Sequence, residues 1–85
     1  MEYLLIMYDD VWGNADDGYW VNDCHTVEKP VNIGNGSDEE IFNALIETGI
    51  FYPEIKEMAV IIDFGEQLEV EALSGYPLCS LQRIY

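Results

Sequence analysis

The sequence predicts an α+β fold, with one helix packed on a mostly antiparallel sheet of about five strands in the chain order ββ(β)αβββ. Residues 58–64, Met-Ala-Val-Ile-Ile-Asp-Phe, are the organising segment. A short apolar run rich in β-branched residues is typical of a strand buried on both faces. The one helical pattern begins at Ser37 and precedes this run. Because the chain has neither a linker nor a repeat, residues 1–85 should form a single domain.

The first half of the chain predicts a β-hairpin followed by a short extended segment. Residues 3–8 form the first strand, which residues 9–12 can extend, and residues 19–27 form the second. Between them, the Gly- and Asn-containing residues 13–18 favour a turn, since these residues supply positive φ angles. Residues 30–33 can serve as an edge strand, because proline lacks a backbone N–H.

The helix has clear start and stop signals. Ser37 and Glu40 form a capping box, in which the Ser hydroxyl accepts from the N3 amide and the Glu side chain reaches back. Gly49 is a natural residue just past the C-terminus. These signals predict a helix of about three turns, whose apolar stripe comprises Ile41, Ala44, Leu45 and Thr48.

Three strands should follow the helix as an antiparallel meander, at residues 58–64, 68–73 and 78–85, with turns at residues 65–67 and 74–77. The second of these strands alternates apolar and acidic residues, so its two sets of side chains should lie on opposite faces. The core-facing set is Leu68, Val70 and Ala72, and the solvent-facing set is Glu69 and Glu71.

Net charge is the abnormal property of this chain. Seventeen Asp and Glu residues face three Lys and Arg residues, for a net charge of −14. Solubility of a small domain needs a net charge of magnitude about 2–8, and the excess destabilises the compact state by self-repulsion. The charge therefore indicates a function, and it argues against direct binding to nucleic acid or to anionic membranes. The alternative explanation of the high net charge is that the surface is adapted to a high-salt environment.

The two cysteines predict a reduced, intracellular protein. Cys24 and Cys79 are distant in sequence and lack CxxC spacing, so both are expected to be small core residues. Neither a signal peptide nor a transmembrane segment is predicted, because the apolar run at residues 3–8 is too short and Glu2 stands where a basic region should be. The expected location is the cytoplasm.

Two stretches carry a family resemblance. Residues 8–14, Tyr-Asp-Asp-Val-Trp-Gly-Asn, with Asp-Gly-Tyr at 17–19 and Val-Asn-Asp at 21–23, resemble the start of a family of small uncharacterised proteins encoded by phages and mobile elements. Gly-Tyr-Pro-Leu-Cys at 75–79 with Leu-Gln-Arg at 81–83 is similar to the ending of that family. The second Asp of residues 8–14 departs from the family pattern Tyr-Asp-Val-Trp-Gly-Asn. The resemblance implies a phage or mobile-element origin, and hence a host bacterial cell, but no mechanism.

The acidic clusters are the candidate binding site. Duplex DNA carries one negative charge per about 1.7 Å of axis, and carboxylates spread along a small domain can present comparable spacing to a Lys/Arg groove. The expected partner is therefore a basic nucleic-acid-binding protein of the host, such as a CRISPR effector or restriction enzyme, inhibited by DNA mimicry. The candidate acids are Asp9, Asp10, Asp16, Asp17, Asp23, Asp38, Glu39, Glu40, Glu69 and Glu71.

Aromatic residues of the first hairpin suggest a second class of function. Trp12 and Trp20 would be interface anchors if exposed, since Trp and Tyr dominate binding hot spots. Because Trp20 follows Tyr19, one of these two rings should point outward; Tyr19 and Val21 are expected to face inward. The alternative function is a structural or adaptor protein that acts through a sheet edge or this hairpin. In that case two copies of the chain can also pair as a homodimer.

Motifs for catalysis, metals and cofactors are missing from the sequence, so no enzyme, metal or cofactor is predicted. There is no GxSxG, Walker loop, GxGxxG or zinc spacing. An EF-hand loop with Gly18 at position 6 would place Gly13 and Ala15 where acids are needed. Asp23 and His25 should share a strand face, which allows a hydrogen bond between them. His25 is expected to be a structural or surface residue and not part of a catalytic site.

Overall fold

A computed structural model describes residues 1–84 and confirms the α+β class. Its described residues form an antiparallel sheet of six strands and two helices, one more helix than the sequence predicts. The elements are β1 (Glu2–Asn14), β2 (Gly18–Thr26), β3 (Val31–Asn32), α1 (Asp38–Glu47), α2 (Ile55–Met58), β4 (Ala59–Asp63), β5 (Gln67–Ala72) and β6 (Pro77–Arg83). The predicted last strand included Tyr85, which lies outside the described residues.

The first and last strands meet at the centre of the sheet. The strand order is β2-β1-β6-β5-β4, and the two-residue β3 pairs with the start of β1. Every pairing is antiparallel. The predicted hairpin and the predicted three-stranded meander are both present, and the β1–β6 pair joins them into one sheet.

The core lies on one face of this sheet, beneath α1. A row of leucines crosses the three central strands, with Leu81 opposite Leu5 on one side and Leu68 on the other. Leu5 and Leu81 are fully buried, and so is Leu45 of α1. The opposite face, called the open face below, carries half-buried and exposed side chains such as Ile6 and Val60.

The signals for α1 are confirmed, with one exception. The Ser37 Oγ accepts from the Glu40 N–H at 3.3 Å, and Gly49 adopts φ +81° just past the helix end. The reciprocal half of the capping box is replaced, because the Ser37 N–H donates instead to the Asn35 side chain at 2.9 Å. A local Asx turn therefore satisfies the amide that Glu40 was expected to bind.

The strand predicted at residues 58–64 is not buried on both faces. Residues 59–63 form β4, which is an edge strand, and Met58 ends α2 instead of beginning the strand. Ala59 is buried, but Val60 is 42% exposed. An apolar run does not distinguish a strand buried on both faces from one with the core on a single face, because that difference is set by what packs against the strand.

The second strand is more exposed than predicted. Tyr19 is half-buried, but Val21 and Cys24 are exposed, because β2 is the other edge of the sheet. The expectation of two core cysteines therefore holds only for Cys79. Burial raises the pKa of the Cys79 thiol to about 12, so this thiol stays protonated and unreactive at neutral pH.

Candidate acidic binding arm

The β1–β2 hairpin projects beyond the rest of the sheet. β1 pairs with β6 only from Tyr3 to Met7, and past that point its pairing is with β2. The projecting part, residues 9–23, is called the acidic arm. It contains five Asp residues and no Lys or Arg. Seven of the twelve predicted binding residues lie in this arm: Asp9, Asp10, Trp12, Asp16, Asp17, Trp20 and Asp23.

Two irregularities at the base of the arm set its shape. Tyr8 lies opposite Cys24 and Asp10 opposite Asp23, so Asp9 is an extra residue on β1. On β2 the extra residue is Asn22, which lies between the Asp10–Asp23 pair and the Val11–Val21 pair. Bulges increase strand twist and redirect side chains. They therefore turn the arm relative to the sheet, while β1 and β2 stay paired along it.

The two tryptophans form an exposed cross-strand pair on the arm. Trp12 lies directly opposite Trp20, with ring centroids 6.4 Å apart and planes at 55°. Each is 53% exposed. The Asp10 carboxylate accepts hydrogen bonds from the Trp12 Nε1 and the Asn22 Nδ2, both at 2.9 Å, and so fixes the Trp12 ring. The prediction that one of Tyr19 and Trp20 points outward is confirmed, and the outward ring is Trp20.

Asn14 organises the tip of the arm. Its side-chain oxygen accepts from the backbone N–H groups of Asp16 and Asp17, at 2.9 and 2.8 Å. Gly13 adopts φ +111°, and a Cβ there would lie only 2.1 Å from the Gly18 carbonyl oxygen, so this position requires glycine. The turn therefore holds the Asp16 and Asp17 side chains at the surface in a defined place.

Asp23 and His25 do not form the hydrogen bond that strand alternation would allow. His25 Nδ1 lies 2.8 Å from both carboxylate oxygens of Asp9, across the strand pair. Asp23 instead accepts from the Cys24 N–H at 2.9 Å. The reason is the bulge, because the extra residue on β1 brings Asp9 beside the imidazole, an arrangement that strand alternation alone does not predict.

The acids at the start of α1 lie far from the arm tip. Asp38, Glu39 and Glu40 form the first turn of α1, and Gly36 just before them lies beside Met1, at the other end of β1. The molecule is 35 Å along its longest axis. Lys56 Nζ donates to Glu39 at 2.9 Å and holds the pKa of this surface carboxyl below its usual value. The structure therefore separates this acidic cluster from the arm.

Glu69 is not the free surface acid that strand alternation predicts. Glu69 and Glu71 lie on the open face, but both are half-buried. The Tyr8 hydroxyl donates to the two Glu69 carboxylate oxygens at 2.5 and 2.7 Å. Desolvation nevertheless raises the pKa of Glu69, and the nearby Glu71 charge raises it further. Burial and the adjacent Glu69 also raise the pKa of Tyr8, so its hydroxyl stays a donor.

This raised pKa predicts a measurable pH dependence of stability. The folded chain holds a proton on Glu69 at pH values where the unfolded chain, with a pKa near 4.5, has released it. Glu69 therefore lowers the free energy of unfolding as the pH rises through its folded-state pKa. Glu69→Gln removes this titration and keeps an acceptor for Tyr8. Its stability relative to wild type should rise as the pH increases above about 4.5 and should level off once Glu69 is ionised in the folded chain, as measured by urea unfolding.

The control for this prediction is Glu28→Gln, at an exposed loop position. Its free energy of unfolding should follow the wild-type curve in parallel across the same pH range. A Glu69→Gln curve that is also parallel to wild type would show that burial of this carboxyl does not affect its titration.

Aromatic packing anchors the arm to the rest of the sheet. The rings of Tyr19 and Tyr76 meet edge to face, with centroids 5.4 Å apart. An open groove lies between the arm and the β5–β6 turn, lined in part by Trp20, Glu71 and Pro77. Sequence reasoning missed the Tyr19–Tyr76 and Tyr8–Glu69 contacts, because each joins residues more than fifty positions apart and no local pattern marks them.

Comparisons with protein-family models, curated proteins and solved structures find no match for this chain. Neither helix among residues 1–84 has the length and apolar character needed to span a membrane. Within the same residues, no group of three or more His, Cys, Asp and Glu side chains is arranged to hold a metal ion.

Proposed function

We propose that this protein is a small acidic, non-enzymatic inhibitor that binds the basic nucleic-acid-binding surface of a host defence protein in the bacterial cytoplasm. One observation carries the proposal: the projecting hairpin arm bears five Asp residues, no cation and two exposed tryptophans. The resemblance to proteins of phages and mobile elements supports a defence protein, such as a CRISPR effector or a restriction enzyme, as the target.

The arm is suited to a groove that accepts nucleic acid. It is only two strands wide, and its acids lie at two levels, with Asp9, Asp10 and Asp23 at the base and Asp16 and Asp17 at the tip. Four residues of β1 separate Asp10 at the base from Asn14, where the turn begins, which is roughly 13 Å at the strand rise of about 3.3 Å per residue. Lys and Arg side chains that pair with phosphates along a groove can pair with such carboxylates.

The tryptophan pair adds a second type of contact. Arg guanidinium groups stack on the faces of Trp rings, and the attraction amounts to about 0.5–2 kcal/mol depending on desolvation. Surfaces that bind single-stranded nucleic acid also use aromatic stacking. Trp12 and Trp20 can therefore take the place of bases beside the Asp carboxylates, which take the place of phosphates.

The remaining charge acts at longer range. A net charge of −14 attracts a basic surface before contact and speeds association, an effect that salt weakens steeply. Asp38, Glu39 and Glu40, at the far end of the molecule from the arm tip, contribute mainly through this field. We therefore expect the contacts at the arm to determine which surface is bound.

The experiment is capture from a bacterial lysate on the immobilised protein, followed by elution with duplex DNA or with a salt gradient. Duplex DNA should release a nucleic-acid-binding protein, and raising the salt from about 50 mM to about 200 mM should clearly weaken its retention, because salt screens the attraction between the acidic arm and a basic surface. Retention that resists both duplex DNA and high salt would contradict competition for a nucleic-acid-binding surface.

The alternative function is an adaptor of a phage or mobile element that acts through a sheet edge or the Trp12–Trp20 hairpin. The exposure of both tryptophans favours it, because paired aromatic rings are typical interface anchors. In this case the charge provides solubility and does not hold the complex together. The complex with the partner, or a homodimer, should therefore persist in about 1 M NaCl, where the Debye length is about 3 Å and charge–charge attraction is screened. The same elution experiment therefore separates the two functions.

A further inference from the structure

The β4 edge leaves a row of backbone groups unpaired. Among the described residues, β4 pairs only with β5. The Phe64 N–H donates to the first residue of β5 at 2.9 Å. Because hydrogen-bonded pairs alternate along an antiparallel ladder, Val60 and Ile62 also direct their backbone groups toward β5. The N–H and C=O groups of Ile61 and the N–H of Asp63 therefore face outward, away from the sheet.

An apolar stripe runs along this edge on the open face. Val60, Ile62 and Phe64 alternate with the core-side residues of β4, and Phe64 is 66% exposed. Met58 and Leu73, joined by a backbone hydrogen bond at 3.0 Å, extend the stripe at its other end and are also exposed. An exposed apolar patch beside unpaired backbone marks a surface that another strand can cover.

β4 is short and ends in the charged Asp63, but it lacks three other protections of an edge strand. Proteins block their edges with Lys, Pro or a bulge. Residues 59–63 contain neither Lys nor Pro, and the β4–β5 register runs without a shift. At the other edge, β2 carries a bulge. β4 is therefore the edge open to strand addition.

The charge around β4 selects the kind of strand that can bind. Glu57 lies just before the strand and Asp63 is its last residue, and both are exposed. Glu69 and Glu71 lie on the open face of the neighbouring β5. A second copy of the chain would bring the same acids and another net charge of −14. A strand rich in Lys and Arg is instead attracted both by these four acids and by the net charge of the protein.

We propose that the β4 edge binds an extended segment of a basic partner protein as an added strand. The segment's backbone pairs with Ile61 and Asp63, its apolar residues cover the stripe, and its Lys or Arg side chains reach Glu57 and Asp63. This mode of recognition, β-augmentation, takes affinity from main-chain hydrogen bonds and specificity from alternate side chains. The site lies at the opposite edge of the sheet from the arm and does not depend on the function proposed for the arm.

The test uses the full chain labelled with ¹⁵N and a capped synthetic peptide in which lysine and valine alternate. On addition of the peptide, hydrogen exchange at the Ile61 and Asp63 amides should slow by about tenfold or more, because these amides gain partners. The Val60 and Ile62 amides, already paired with β5, should change little. The same peptide methylated on alternate backbone nitrogens should lose most of its binding, as should a peptide with glutamate in place of lysine.

Two variants complete the test. Val60→Thr with Phe64→Ser keeps β-propensity at position 60 and should weaken peptide binding about fivefold. Glu2→Gln with Glu28→Gln, at exposed positions outside both the arm and the β4 edge, should change it less than about twofold in about 0.15 M salt, where charges beyond about 8 Å are screened. Equal binding of the methylated peptide, or peptide binding without protection of Ile61, would overturn the proposal. If the Ile61 and Asp63 amides are protected without peptide, and this protection grows with protein concentration, a second copy of the chain occupies the edge. That result would overturn the proposal of a basic partner.

Discussion

Exchanging Asp16 and Asp17 for lysine is expected to weaken binding to the basic partner by about 10- to 100-fold. Both acids are exposed at the arm tip, where Asn14 still holds the turn through the backbone amides after the exchange. Lysine at these positions converts attraction to a Lys/Arg groove into repulsion. Association and dissociation rates measured at two salt concentrations should show most of the loss in the association rate, and a smaller salt dependence.

The matched control is Glu28→Lys with Glu54→Lys, which changes the net charge by the same four units. Glu28 precedes β3 and Glu54 precedes α2, and both are exposed. This variant keeps the arm intact and should lose less than about threefold in affinity. If the two variants weaken binding equally, the partner responds to net charge alone, and the arm is not the contact site.

Truncating Leu81 to alanine should have the largest effect on stability. Leu81 is fully buried and lies between Leu5 and Leu68 in the row that faces α1. A buried Leu→Ala exchange costs about 3–5 kcal/mol, through lost burial and the cavity it leaves. Domains have a total stability of about 5–15 kcal/mol, so the variant should unfold at a much lower urea concentration. Circular dichroism is the suitable probe, because both tryptophans lie in the exposed arm.

The control for this prediction is Leu73→Ala, at a leucine that is 68% exposed. Its free energy of unfolding should stay within about 0.5 kcal/mol of wild type. A loss below about 1 kcal/mol for Leu81→Ala would contradict close packing of α1 on the leucine row.

Local chemistry explains the parts of the fold that the sequence predicts. Ser37 and Gly49 mark the two ends of α1, because a hydroxyl cap and a positive φ are requirements of the backbone itself. The turn at the hairpin tip is likewise fixed by Asn14 and Gly13, within a few residues of each other. Such signals are complete within a short stretch of chain, so they do not depend on the rest of the fold.

Contacts between distant segments explain the errors. Residues 59–63 are as apolar as a central strand, but the centre of the sheet is taken by the β1–β6 pair, in which Leu5 meets Leu81. This pairing is not encoded within either segment. The short α2 was missed for a related reason: it spans only Ile55–Met58 and lacks a side-chain cap, so no start signal precedes it.

The candidate site likewise has parts that follow from the local sequence and parts that depend on contacts between distant segments. The predicted hairpin is enough to place the seven arm residues near one another, because a hairpin brings its own two strands into contact. Glu69 was placed on the correct face by strand alternation, but its contact with Tyr8 depends on the sheet order. The Asp9–His25 pair depends on a bulge, and nothing in the residues around Asp9 specifies an extra residue there. Placement of charge thus follows local pattern, whereas its pairing depends on tertiary structure.

The most direct test of the proposed inhibition is a competition titration with the purified protein that duplex DNA releases from the immobilised chain. Fluorescently labelled duplex DNA is bound to that protein, and the acidic chain is added while anisotropy is recorded. We expect complete displacement of the DNA, with an apparent inhibition constant that rises linearly with DNA concentration, because the two ligands exclude each other. A ternary complex, in which the DNA stays bound while the acidic chain saturates its own site, would contradict the account.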